Sequence, residues 1–210
     1  MTAKLISGTE IALQIREEIK QEVIQLKAKH NVVPGIATVL LGANPGSLSY
    51  ISAKEKTAKE LGFYSERIDL PESTTQKDLL AIVDKLNKDP KIHGILVQEP
   101  RPKHINAAEV NYAIDPKKDV DVFHPVNVGR LMLGDADFLP CTPAAILLML
   151  IRSGVNIDGA EVVVVGRSNI VGKPIANMLS QKNNGANATV TICHTHTPVM
   201  WRFIPAEQIY

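Results

Sequence analysis

The 210-residue sequence has few cysteines, few aromatic residues, no long apolar run and a net charge of only +1. Its two cysteines, Cys141 and Cys193, form no C-x-x-C pair, which favours free thiols in a reducing compartment. A small buried hydrophobe is a more ordinary role for each than a catalytic nucleophile. The near-neutral charge gives no reason to expect nucleic acid or an anionic membrane as a partner. Without a membrane-span-length run or a signal-peptide core, a cytoplasmic protein is expected.

What the sequence does contain is the composition of a globular α/β protein, with 45% hydrophobic and 21% charged residues. Short apolar runs alternate with segments of helical periodicity, which predicts right-handed βαβ units and parallel sheets. The segment 115–141, rich in Asp, Pro and Gly, is predicted to be a long irregular loop. The predicted helices cover 8–30, 47–61, 75–88, 105–114, 142–153 and 173–182, and the predicted strands cover 35–41, 64–69, 94–98, 161–165 and 188–193.

The best-marked motif is a glycine-bounded turn from Gly166 to Gly172, between a predicted strand and a predicted helix. The valine run 162–165 before it predicts a strand buried on both faces. Gly166 allows a tight turn, Gly172 allows close packing, and free N–H groups at the helix N-terminus favour an anion. Arg167 and Ser168 add a guanidinium and a hydroxyl for a phosphate. The spacing is not G-x-G-x-x-G, so a phosphate site and an ordinary turn stay about equally supported.

The strand that follows carries a hint about the cofactor. It ends at Cys193 without the acidic residue that would bind the ribose hydroxyls of NAD, and Arg167 lies upstream, which favours NADP. His194 and His196 come next, but no carboxylate or cysteine completes a metal site with them. We therefore expect no metal.

In the first half of the chain, Tyr50 and Lys54 are four residues apart and share one face of a predicted helix. Leu61 continues this stripe, so the face is expected to look inward. A partly buried lysine can act as a general acid or base. The alternative is a lysine that extends from the helix edge into solvent.

Two further positions carry polar groups that a ligand could use. Gln98 lies at the carboxyl end of a predicted parallel strand, which is the sheet edge where α/β proteins bind ligands. Asp119 and Asp121 lie in the long loop, where they could bind a metal or a polar ligand or could simply be solvated.

Five segments follow one another along the chain: Tyr50-x-x-x-Lys54, Gly94–Gln98, Lys118–Asp121, Pro140–Pro143 and Gly166–Pro174. Taken in this order, they resemble the bifunctional methylenetetrahydrofolate dehydrogenase/methenyltetrahydrofolate cyclohydrolase family, over about residues 1–197. The resemblance implies NADP-dependent oxidation of 5,10-methylenetetrahydrofolate and hydrolysis of the methenyl product to 10-formyltetrahydrofolate. It also implies tetrahydrofolate derivatives as ligands, a homodimer, and one-carbon supply to purine, methionine and histidine biosynthesis.

The resemblance also implies an architecture and a role for each site residue. It implies a three-layer αβα folate-binding catalytic domain over 1–145 and an incomplete Rossmann-type NADP-binding domain over 146–210, with the folate site between them. Lys54 would be the acid/base, with Gln98 as its hydrogen-bond partner. Tyr50 would pack on the folate, and Asp121 would accept hydrogen bonds from the pterin ring. The implied cofactor residues are Gly166, Arg167, Ser168, Gly172 and Thr195.

The sequence departs from the family pattern at several points. Glu99 and Arg101 replace apolar residues beside the implied folate site, and Val122 replaces a glycine. The segment 198–210 does not resemble the family, so the nucleotide domain is expected to be incomplete. A non-catalytic module that pairs with a full-length partner, and an accidentally truncated chain, therefore stay open as alternatives.

Overall fold

The computed structural model describes residues 5–198, which form two compact units of alternating helices and strands. The first unit holds residues 9–125, and the second holds residues 5–8 and 126–198. The helices are α1 (Gly8–His30), α2 (Pro45–Glu60), α3 (Gln76–Lys88), α4 (Ala107–Ala113), α5 (Pro125–Leu133), α6 (Cys141–Arg152) and α7 (Gly172–Ser180). The strands are β1 (Gly35–Leu41), β2 (Tyr64–Leu70), β3 (Gly94–Val97), β4 (Glu161–Val165) and β5 (Thr189–Cys193).

The first unit is built on a parallel sheet in the order β2-β1-β3, as the alternating pattern predicts. The central strand β1 is almost wholly buried. Helix α3 packs Leu79, Val83 and Leu86 into the core, because these residues recur on one helical face. The carboxyl ends of the three strands thereby meet at one edge, where Gln98 follows β3.

The second unit contains a parallel pair of strands, β4 and β5, covered by α6 and α7. The prediction that β4 is buried on both faces is wrong. Val162 and Val164 pack into the core with Ile175 and Leu179, whereas Val165 is 57% exposed. Alternate residues of a strand point to opposite faces, and among the described residues the helices cover only the face of Val162 and Val164.

The segment 115–141 is not the irregular loop that its composition predicts, because it contains α5. Pro125 occupies the first turn, where a missing N–H costs nothing, and Leu131 is buried. The helix ends at Gly134, whose φ of 80° suits glycine and whose N–H donates to the Leu131 carbonyl. Most of the Asp, Pro and Gly residues of 115–141 lie before or after this helix, so the composition of the whole segment did not indicate it.

The two compact units divide after residue 125, earlier in the chain than the predicted domain boundary at 145, which stays a prediction. Within residues 5–198 neither cysteine forms a disulfide; Cys193 is buried as expected, but Cys141 is exposed. Between residues 5 and 198, no helix is long and apolar enough to cross a membrane. The segment expected to depart from the family, 198–210, lies outside the described residues except for its first.

Candidate functional site

Helix α2 positions Lys54 in the first unit. Its N-terminus is capped by Asn44, whose side-chain oxygen accepts from the N–H groups of Gly46 and Ser47 at 3.0 and 3.2 Å. Ser47 and Ile51 are buried and fix the rotation of the helix. Lys54, one turn after Ile51, is therefore held at the boundary between core and solvent.

Lys54 and Tyr50 do share a helix face, and the Lys54 ammonium lies 4.2 Å from the centroid of the Tyr50 ring. A cation–π contact of this kind stabilises an exposed ammonium by roughly 0.5–1 kcal/mol. The face does not look inward as expected, however, because Tyr50 is 57% exposed and the buried positions are on the neighbouring stripe. The contact leaves the ring and the ammonium accessible to a ligand.

Asp121 is the carboxylate that lies within electrostatic reach of Lys54. Burial raises the pKa of the Asp121 carboxyl, and the neighbouring charges of Asp119 and Glu99 raise this pKa further. The positive charges of Lys54 and Arg101 oppose this rise. A desolvated carboxylate with a perturbed pKa beside a lysine is typical of a functional site.

Asp119, two residues earlier, has a structural role. It is 1% exposed, and its carboxylate accepts from the backbone N–H groups of Phe123 and His124 at 3.2 and 2.8 Å. These bonds hold the turn at Val122, whose φ of 61° is left-handed. Among residues 5–198 no cluster of His, Cys, Asp and Glu could hold a metal ion. The sequence pattern does not distinguish Asp119 from Asp121, but the fold gives the two aspartates different environments.

Gln98 directly follows β3, and its backbone N–H donates to the Val39 carbonyl at 2.9 Å. The predicted hydrogen bond to Lys54 is not formed. The side-chain amide nitrogen instead donates to the Glu99 carbonyl at 2.7 Å. The side-chain oxygen is buried and has no partner within the described part of the chain. A buried acceptor without a partner is costly, and a polar ligand would satisfy it.

Arg101 and Glu99, which sequence reasoning placed as new charges beside the folate site, behave differently from each other. The Arg101 side chain is only 3% exposed and turns into the protein, whereas that of Glu99 is 48% exposed. Burial lowers the pKa of the Arg101 guanidinium, and Glu99 opposes this effect. No local pattern could have shown that Arg101 folds inward, because this depends on how helix α4, which carries its partners Ala107 and Asn111, packs beside the end of β3.

In the second unit, the turn from Gly166 to Gly172 has the tight geometry that the glycines predict. Gly166 has a φ of 135°, which side chains rarely adopt. A Cβ on Gly172 would lie 2.5 Å from the Gly166 carbonyl oxygen, so only glycine allows helix α7 to approach this closely. The N–H groups of Val171 and Gly172 are not free as expected, since both donate to the Ser168 hydroxyl oxygen at 3.1 and 3.2 Å.

Arg167 and Thr195 are exposed at the carboxyl ends of β4 and β5. The two ends are joined by a hydrogen bond from the Gly166 N–H to the Cys193 carbonyl at 2.7 Å. Arg167 makes no ion pair with any residue between 5 and 198 and is close enough to lower the pKa of His194, after the larger effect of partial burial. An exposed guanidinium and an exposed hydroxyl at the same end of the sheet can bind a phosphate.

The histidines after β5 were missed as members of this site. They lie in a turn after the strand, and the rings of His194 and His196 approach edge to face with centroids 6.2 Å apart. The His194 N–H donates to the Thr197 hydroxyl oxygen at 2.8 Å, which closes the turn. Arg167 is close enough to His194 to act on it electrostatically, so an exposed guanidinium and this turn lie at the same end of the sheet, where the phosphates of a nucleotide cofactor could bind.

Two family models match the chain. The model of the tetrahydrofolate dehydrogenase/cyclohydrolase catalytic domain matches residues 6–121, and that of the family's NAD(P)-binding domain matches residues 140–209. The second match extends past residue 197, where the resemblance was expected to end, whereas the relative described next aligns over 197 residues.

Individual proteins agree with the family models. A bifunctional protein FolD from Syntrophobacter fumaroxidans is 61% identical over 94% of this chain and 67% of its own length. The structure of a silkworm (Bombyx mori) 5,10-methylenetetrahydrofolate dehydrogenase matches with a TM-score of 0.91 at 37% identity, over 94% of this chain and 70% of that one. A Trypanosoma brucei dehydrogenase–cyclohydrolase, solved with NADP and an inhibitor, matches with a TM-score of 0.86 at 38% identity, over 94% and 67%. With two family models and relatives of this identity, the chain belongs to the tetrahydrofolate dehydrogenase/cyclohydrolase family.

Proposed function

We propose that this protein oxidises 5,10-methylenetetrahydrofolate with NADP and hydrolyses the resulting methenyl compound to 10-formyltetrahydrofolate. The observation that carries the proposal is the arrangement around Lys54. Its ammonium lies against the Tyr50 ring and within electrostatic reach of the desolvated Asp121 carboxyl. A lysine held in this way can deliver or accept a proton while a carboxylate orients the ligand.

Each residue of the first unit has a proposed role. Tyr50 presents an exposed ring on which a flat folate ring system can pack. Lys54 accepts a proton from the water that attacks the cationic one-carbon bridge, and it returns a proton to the bridge nitrogen whose bond to that carbon breaks. Gln98 offers its buried side-chain oxygen as an acceptor. Asp121 accepts hydrogen bonds from the N–H groups of the pterin ring, which fixes its orientation.

The second unit is proposed to hold NADP, which would supply the hydride acceptor when bound. Arg167 and Thr195 would bind the 2′-phosphate, because the guanidinium is exposed and the hydroxyl lies at the same end of the sheet. Ser168 caps the helix through its oxygen and retains a hydroxyl proton to donate. Gly166 and Gly172 shape the turn and leave no side chain between it and the cofactor.

The test is a pair of assays on the purified chain, one for NADP-dependent oxidation of methylenetetrahydrofolate and one for hydrolysis of the methenyl compound. Lys54→Met is expected to lower the hydrolysis rate by about 100-fold or more, in the range of a lost general acid–base group. Lys56→Met is the matched control. Lys56 lies on the same helix, its side chain is 79% exposed and it pairs with the exposed Glu60 at 3.9 Å.

Two results would contradict the proposal. The first is the absence of both activities at high protein concentration, which would favour the non-catalytic module. The second is an equal effect of the substitutions at Lys54 and Lys56 on hydrolysis. We further propose a cytoplasmic homodimer that supplies one-carbon units to purine, methionine and histidine biosynthesis, as the resemblance implies. Light scattering coupled to size exclusion measures the oligomeric state.

A further inference from the structure

Arg101 is a buried charge that none of the roles above uses. Its side chain is 3% exposed, and the cost of burying a guanidinium is several kcal/mol unless hydrogen bonds and an opposite charge compensate for it. A guanidinium buried in such a place is expected to hold neighbouring groups in position.

The guanidinium joins the end of β3 to helix α4. One terminal nitrogen, Nη1, donates to the Ala107 carbonyl at 3.0 Å. The other, Nη2, donates to the Val97 carbonyl at 3.3 Å and to the Asn111 side-chain oxygen at 2.7 Å. The remaining nitrogen, Nε, lies 3.3 Å from a Glu99 carboxylate oxygen, an ion-pair distance without hydrogen-bond geometry.

These contacts hold the Val97 backbone and the Glu99 side chain, on either side of Gln98. Arg101 holds Val97 through its side chain, and it holds Glu99 through the ion pair and through a hydrogen bond from its own backbone N–H at 3.1 Å. Gln98 lies between the two, and its side-chain nitrogen donates to the Glu99 carbonyl. The orientation of the Gln98 amide therefore depends on where Arg101 places Glu99.

Arg101 also contributes to the electrostatic field at Asp121. The charged groups that face Asp121 are Lys54 from α2, Asp119 from its own loop, and Arg101 and Glu99 from the segment after β3. Arg101 and Lys54 favour the carboxylate form, and Glu99 and Asp119 oppose it. Arg101 and Glu99 thus act on Asp121 with opposite signs.

We propose that Arg101 is a positioning residue of the active site, which holds Val97 and Glu99 so that the Gln98 amide keeps its place beside the substrate. It rests on the proposed function, because Gln98 and Asp121 act only if the folate chemistry takes place. Lys at this position would keep the charge but lose the planar fork that reaches several acceptors at once. Geometry and charge can therefore be separated by substitution.

The experiment compares Arg101→Met, Arg101→Lys and Glu99→Gln with the wild type in the hydrolysis assay over a range of pH. Arg101→Met is expected to lower kcat by about tenfold or more, the effect of a displaced active-site group, and to change KM much less. The acidic limb of the pH–rate profile of this variant should move to higher pH, because Asp121 loses a positively charged neighbour. Arg101→Lys should restore the pH profile but not kcat. Glu99→Gln should move the acidic limb to lower pH.

A purely structural role would lower the stability of Arg101→Met without moving the pH profile, and that outcome would overturn the proposal. Shifts of the same sign in the Arg101 and Glu99 variants would overturn it as well. If Arg101→Met does not fold, the Glu99→Gln variant tests the proposal, since the half-exposed Glu99 carboxylate can be removed without opening the core. An inactive wild type would contradict the proposed function instead. In that case, titration of the Asp121 carboxyl by carbon-13 NMR measures its pKa directly in the Arg101→Met and Glu99→Gln variants, and the same opposite shifts are expected without any need for activity.

Discussion

Val122 is a β-branched residue in the left-handed region of backbone conformation, with a φ of 61° and 4% exposure. This conformation costs an L-residue about 1–2 kcal/mol. The turn persists because Asp119 accepts from the N–H groups of the two residues that follow Val122. Strain of this kind predicts an unusual ranking of Ala and Gly substitutions.

The magnitude follows from burial and strain. Val122→Ala removes two methyl groups, which costs about 1.6 kcal/mol at about 0.8 kcal/mol each, and keeps the strain. Val122→Gly removes one more buried carbon, which costs about a further 0.8 kcal/mol, and the greater conformational entropy of glycine in the unfolded chain costs about 0.5–1 kcal/mol. It also releases the backbone strain, which offsets these costs. The Ala and Gly variants should therefore unfold with free energies within about 1 kcal/mol of each other.

Urea denaturation of the variants measures these free energies, with the same pair of substitutions at Val110 as control. Val110 is 0% exposed in α4 and has ordinary helical backbone. Gly there should be less stable than Ala by about 1.3–1.8 kcal/mol, since no strain is released. An equal gap between Ala and Gly at the two positions would refute the reasoning, because it would mean that the left-handed conformation of Val122 stores no strain.

Three further predictions concern the site. Burial raises the pKa of the Asp121 carboxyl, so the ionised carboxylate destabilises the fold at neutral pH. Asp121→Asn should therefore raise the free energy of unfolding at neutral pH, by about 1.4 kcal/mol for each tenfold by which folding raises the proton affinity of this carboxyl. The gain should vanish below the ordinary carboxyl pKa, where Asp121 is protonated in the folded and the unfolded protein alike. Denaturation at several pH values checks this. Gly172→Ala should destabilise by about 1–3 kcal/mol in the same measurement, because its Cβ meets backbone atoms, whereas Gly129→Ala in α5 has open space and should not destabilise. Arg167→Ala should weaken NADP binding about 10- to 100-fold and NAD binding little, as calorimetry would show; an equal loss for both cofactors would contradict its contact with the 2′-phosphate.

The strands and all helices but α5 were predictable because their signals are local. The period of apolar residues in 76–88 and the apolar run in 35–41 need no information from the rest of the chain. Helix α5 was missed because the composition of 115–141 resembles that of a loop. The prediction for β4 failed because a neighbouring element decides the outcome. Whether both faces of β4 are buried depends on which helices cover the sheet, and the valine run 162–165 reads the same in either case.

The candidate site was predictable to the same extent. Spacing on one helix brought Tyr50 and Lys54 together, and the contact of 4.2 Å confirms it. The hydrogen bond from Lys54 to Gln98 was a prediction about two distant segments, and the structure pairs Gln98 with its neighbour Glu99 instead. The roles proposed for these residues await the assays described above.

The sequence by itself determined the family, the order of the strands, the glycine turn from 166 to 172, and which residues share a helix face. Each of these depends on residue identity and on the geometry of one segment. Only the tertiary structure decided that Asp119 caps a turn while Asp121 lies beside Lys54, and that Arg101 is buried. The physical reason is that burial and electrostatic energy depend on which distant segments surround a side chain, and identical residues two positions apart can meet different surroundings.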